Sequence, residues 1–89
     1  MLNQKITIAN KLGLHARAAA KFVSCASAFA SSVRVGKDGD LVDAKSIMSV
    51  MMLAAGRGTI LNLEVNGSDE VETVAALVAL IENRFDEDE

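Results

Sequence analysis

Apolar and polar positions change period several times along this chain. Leu2, Ile6 and Ile8 alternate with Lys5 and Thr7, which predicts a strand over about residues 2–9. Asn10 to Leu14 reads as a loop. From Ala16 the period lengthens, and Ala19, Phe22, Val23, Ala26, Phe29 and Ala30 form one helical stripe that Ser31-Ser32 should end. Val33 and Val35 flank Arg34 in a short strand, Lys37-Asp38-Gly39-Asp40 is a hairpin turn, and Leu41-Val42-Asp43 is the return strand. A short helix follows from Ser46 to about Ala55, stopped near Gly56 or Gly58. Leu61, Leu63 and Val65 then alternate with Ile60, Asn62 and Glu64 in another strand, and Asn66-Gly67 turns the chain. Asp69 and Glu72 have the spacing of a capping box for a last helix. Its stripe is Val71, Val74, Ala75, Val78 and Ile81, and it should run to about Arg84.

The order is β-α-β-β-α-β-α, an α+β pattern. With no proline and no linker, residues 1–89 read as a single domain. Strands with one apolar and one polar face fit a four-stranded antiparallel sheet carrying three helices on one side and water on the other.

Composition narrows the function. One cysteine and one histidine exclude a disulfide framework and a Cys- or His-built metal site. Without Trp or Tyr there are few platforms for stacking bases, and a net charge of −3 gives no general attraction to nucleic acid or anionic membrane. No apolar run is long enough to span a bilayer, and the opening MLNQKITIAN has no signal-peptide core, so the cytoplasm is the expected compartment. The charge is unevenly placed. Residues 1–68 carry +4 and residues 69–89 carry −7. A basic body suits an acidic protein surface or a phosphoryl group. The closing Asp86-Glu87-Asp88-Glu89 reads as a frayed, solvated tail.

The candidate chemistry sits at His15, at or beside the N-cap of the first helix. Unpaired amides and the positive end of the helix dipole favour an anion there and disfavour an imidazolium, so a neutral, nucleophilic ring is expected. The backbone of Ala16 and Arg17 would bind phosphate, and the Arg17 guanidinium offers forked donors to its oxygens. Lys21 shares a face with Arg17, and Gly13 would let the loop backbone approach a ligand. The same residues also admit a purely structural reading, in which His15 is a helix cap and the cations are a solvated face.

The stretch K-L-G-L-H-A-R-A-A-A-K-F (Lys11 to Phe22) resembles the phosphorylation site of the HPr family of phosphocarrier proteins. A-K-S-I-M-S-V-M-M-L-A-A-G-R-G-T (Ala44 to Thr59) resembles that family's second helix, and the match runs in register over nearly the whole chain. The resemblance implies an open-faced β-sandwich and a stoichiometric carrier rather than an enzyme. It implies that His15 accepts a phosphoryl group on Nδ1 from phosphorylated Enzyme I, with phosphoenolpyruvate as the original donor. His15 would then pass the group to a histidine of a IIA-type protein, with Arg17 stabilising the phosphoryl oxygens. No cofactor is implied. Ala18 stands where the family usually has proline, and with the ending R-F-D-E-D-E this looks more like the nitrogen-related branch, NPr, than the sugar-transport branch.

The second helix is apolar almost all round. Val50, Leu53 and Ala54 share a face assigned to the core. Ile47, Met48, Met51 and Met52 are either further core filler or a docking patch. The resemblance favours docking for those four, together with Ala20 and Lys21. Ser46 is a good N-cap. In part of the family the matching serine is a regulatory phosphorylation site. Cys25 reads as inert packing. Exposure of His15 to large partners favours a monomer. The rival function is a regulatory module that docks without phosphotransfer.

Overall fold

The computed structural model describes residues 1–87. Strand β1 (Leu2–Thr7) leads to helix α1 (Ala16–Ser27), then strands β2 (Ser32–Lys37) and β3 (Asp40–Asp43), helix α2 (Ile47–Met52), strand β4 (Ile60–Asn66) and helix α3 (Glu70–Glu82). A single turn over Arg84–Asp86 follows. The sheet order is β1-β4-β2-β3, antiparallel throughout, so the last strand is inserted between the first two. The expected order, sheet and helix count are those observed.

Register sorts the side chains. Leu2 pairs with Val65, Ile6 with Leu61, Val33 with Val65 and Val35 with Leu63, which puts the apolar set on the helix-covered face. Leu61, Leu63, Val65, Val33 and Val35 are buried there with Phe22, Leu77, Ile81 and Phe85. On the other face Arg34 pairs in register with Glu64, their charged atoms 3.7 Å apart. The β2–β3 hairpin turns through Asp38 and Gly39, both at positive φ (57° and 91°), which an Asp-Gly pair tolerates best.

Several local expectations are corrected. Helix α1 ends at Ser27, short of Ser31, which leaves Ala30 exposed. Helix α2 ends at Met52, and Ala54 (φ 51°) turns the chain before any glycine. Ala54 is therefore exposed rather than core, and Ala55 is buried in its stead. On α3 the buried line is Thr73, Leu77 and Ile81, while Val71 is 65% exposed. That helix is apolar on nearly every side, so its sequence does not select one stripe. The capping box does not form. Asp69 is the N-cap, but its carboxylate accepts from the Ala30 amide (2.9 Å), the Ser31 amide (2.9 Å) and the Ser31 hydroxyl. It thus ties the α1–β2 connection to the start of α3.

Candidate phosphoryl-transfer site

Local geometry places His15. Its backbone is extended (φ −70°, ψ 174°), its carbonyl accepts the first helical bond from Ala19 (2.8 Å), and its side chain makes no capping bond. The ring is therefore spared for other work. The amides of Ala16 and Arg17 open the helix with no acceptor among the described residues. This is the anion-favouring geometry that sequence position implied.

The loop before the ring is pinned from the other side. Leu14 donates its amide to the Ala55 carbonyl at 2.8 Å, and Gly13 (φ 66°) passes so close that a Cβ there would lie 2.4 Å from the same oxygen. Gly13 thus serves close packing against the α2–β4 connection. In the same region Gly58 donates its amide to the Ile8 carbonyl, and Ile8 donates its own to the Thr59 carbonyl, both at 2.9 Å, so the base of the site is continuous with the sheet.

The His15 side chain is about a quarter exposed, at 27%. Its Nε2–H donates to Oε2 of Glu87. A carboxylate can only accept, so in the neutral ring the proton is on Nε2 and the lone pair on Nδ1. No bond to Nδ1 forms among the described residues. Asn10, fully buried, donates its Nδ2–H groups to the Gly13 carbonyl and to Oε1 of Glu87, both at 2.9 Å. Burial pushes the Glu87 carboxyl up, but hydrogen bonds from His15 and Asn10, with the charge of Lys21 and that of His15 when its ring is protonated, outweigh this and hold it below the ordinary glutamate value.

The acidic ending is thus not a uniformly frayed tail. Phe85 is fully buried, and Arg84, Phe85 and Asp86 all take positive φ (53°, 53° and 63°) to drive it inward and bring Glu87 back over the site. Asp88 and Glu89 lie outside the described residues. Lys21 belongs to the same arrangement: its Nζ donates to the Phe85 carbonyl at 2.7 Å and lies 4.0 Å from an Asp86 oxygen. Arg17 is exposed and has no acceptor among the described residues. An open hollow joins Lys11, Leu12, His15, Arg17, Lys21, Asp86 and Glu87. A basic rim around a free ring nitrogen can receive a phosphoryl group; among the described residues no cluster has the make-up of a metal site.

Residues 2–83 match the family model for the PTS HPr component phosphorylation site. The chain belongs to the HPr family of phosphocarrier proteins. It is 62% identical over 86 residues to phosphocarrier protein HPr of Pseudomonas aeruginosa, covering 96% of each chain. It is 57% identical over 89 residues to phosphocarrier protein HPr of Cupriavidus necator, covering both completely. A crystal structure of HPr-C-His from Thermoanaerobacter tengcongensis superposes with a TM-score of 0.96 at 48% identity over the full length of both chains. The HPr fold and a phosphocarrier role in the phosphotransferase system follow. No helix among the described residues is long and apolar enough to cross a membrane.

The other singled-out residues fall on α1 and α2, which pack against each other. Ile47 (44%), Met48 (69%), Met51 (41%) and Met52 (78%) are exposed, so they are not core filler. Ala20 is exposed as well. Val50 and Leu53 face the core as expected. Ser46 caps α2, its Oγ accepting the Ser49 amide at 3.4 Å. Cys25 packs on the core edge, and burial raises its thiol above the ordinary value. Asn10, Leu12, Phe85 and Glu87 were not singled out. The only hints were an aromatic residue set among acids and a polar residue closing a strand.

Proposed function

We propose that this chain carries a phosphoryl group on Nδ1 of His15, taking it from phosphorylated Enzyme I and passing it to a histidine of a IIA-type protein. The observation that carries this reading is the ring at the N-cap of α1, with Nε2 engaged by Glu87 and Nδ1 left with its lone pair. In the accepting step that lone pair attacks phosphorus. A P–N bond forms at His15, the donor's P–N bond breaks, and its electron pair returns to the donor's ring nitrogen. The amides of Ala16 and Arg17 and the Arg17 guanidinium hold the phosphoryl oxygens while charge moves. Protein partners supply the remaining catalysis, so the chain acts stoichiometrically, as a monomer in the cytoplasm.

Docking falls to Ala20, Lys21, Ile47, Met48, Met51 and Met52. Flexible, exposed methionines suit a surface that meets more than one partner in turn. A phosphate on Ser46 would place negative charge at the head of α2 and oppose an acidic partner. Within the family we read the chain as nitrogen-type, on the strength of Ala18 and the R-F-D-E-D-E ending.

The test is phosphorylation from phosphoenolpyruvate with either a nitrogen-type or a sugar-type Enzyme I. The reading expects an acid-labile, alkali-stable label that is faster with the nitrogen-type enzyme and absent in His15→Ala. Faster labelling by the sugar-type enzyme overturns the branch alone. Label persisting in His15→Ala overturns the site.

A further inference from the structure

Three contacts hold the Glu87 carboxylate against the ring. Phe85, fully buried, anchors the segment, and Lys21 grips its carbonyl at 2.7 Å. Asn10, buried and tied to Gly13, fixes one carboxylate oxygen at 2.9 Å, which leaves the other for Nε2–H. A tail that served only solubility would need none of these.

We propose, on the reading of His15 as the phosphoryl acceptor, that Glu87 is a positioning residue for the transfer: it fixes the ring with its proton on Nε2 and its lone pair on Nδ1, and stays paired with Nε2–H once Nδ1 is phosphorylated. The bonds balance without a further reactant. The P–N bond forms at Nδ1, the donor's P–N bond breaks towards the donor ring, and each ring keeps its own N–H. His15 therefore becomes a phospho-imidazolium, a cation lying against the Glu87 carboxylate. That form releases phosphorus readily, because a neutral imidazole leaves; a phosphorylated ring without the Nε2 proton would have to leave as an anion. Glu87 thereby keeps the carrier in its transferable state. Lys11 from the loop and Arg17 and Lys21 from α1 face the same hollow and oppose a charged ring, while Asp86 and Glu87 are the acids there. Of these, Glu87 is the one bonded to the imidazole.

The experiment uses the full chain as parent, Glu87→Ala, Glu87→Gln and a control, Glu72→Gln, whose side chain is exposed on α3. Each is phosphorylated from phosphoenolpyruvate through Enzyme I, and loss of the phosphoryl group is followed by phosphorus NMR against pH. Removing the opposing charge should lower the pH midpoint of dephosphorylation by about one unit in Glu87→Ala. It should lower it in the same direction in Glu87→Gln and leave the control unchanged. In the unphosphorylated parent, nitrogen NMR should show the Nε2–H tautomer alone, and in Glu87→Ala a mixture. Equal midpoints with normal labelling, or faster transfer at every pH in Glu87→Ala, would overturn the role of Glu87 and leave the carrier reading standing. A parent that takes no label would remove both.

Discussion

Gly13 and Ala55 meet backbone to backbone: the space where a Gly13 side chain would begin lies 2.4 Å from the Ala55 carbonyl oxygen, which already accepts the Leu14 amide. The α2–β4 connection and the loop ahead of α1 are therefore one packed unit, and His15 is set by it. Gly13→Ala adds both this clash and the strain of a positive φ. It should lower stability by about 1–3 kcal/mol, read from urea unfolding, and slow phosphoryl transfer through a displaced His15. An unchanged midpoint and rate would show that the loop yields without moving the ring.

Arg17 projects from the same helix start without touching the core, so its removal should leave the fold intact. Arg17→Ala should slow phosphoryl transfer by about 10–100-fold, with thermal unfolding unchanged, because a charge-assisted donor to the transferring group is lost. Arg17→Lys should recover part of the rate, since the charge remains and the fork does not. Stopped-flow transfer from phosphorylated Enzyme I separates these cases.

How much of this was readable beforehand depends on range. The Asp38-Gly39 turn, the alternation in β4 and the change of period at His15 are local, so sequence alone placed them. Asp69 could not be read the same way, because its partners Ala30 and Ser31 are brought to it only by tertiary folding. The acidic run misled because four consecutive acids look solvated unless the burial of Phe85 is known. Helix α3 misled for the opposite reason: with apolar residues on nearly every side, Val71 and Leu77 are equivalent until a neighbour chooses between them.

Asp69 carries a pH dependence of stability. The Ser31 hydroxyl and Ala30 amide are the chief causes holding its carboxyl below the ordinary aspartate value; burial opposes them, and the Ser31 amide adds a lesser contribution in their favour. A carboxyl lowered in the folded state stabilises the fold above its unfolded pKa, near 4, and loses that contribution as pH falls through the lower folded value. Asp69→Asn should therefore flatten the fall in melting temperature below about pH 4. A parallel fall in parent and variant would assign the acid sensitivity elsewhere.

The exposed face of α2 gives a prediction separable from the chemistry. Met48 is 69% exposed, so Met48→Asp should fold normally. It should nevertheless weaken binding of Enzyme I by about tenfold or more, as expected when a charge is buried at an interface, and should leave the phosphorylated His15, once formed, as labile as in the parent. Titration calorimetry with Enzyme I measures the first, and phosphohistidine lifetime the second.

The central claim is that one ring nitrogen, Nδ1 of His15, bears the phosphoryl group. Nitrogen–phosphorus correlation NMR on the labelled, phosphorylated chain tests it most directly. The account predicts a single coupling, to Nδ1 of His15, with Nε2 still carrying its proton. Phosphorus attached to Nε2, or to any side chain other than His15, would contradict it.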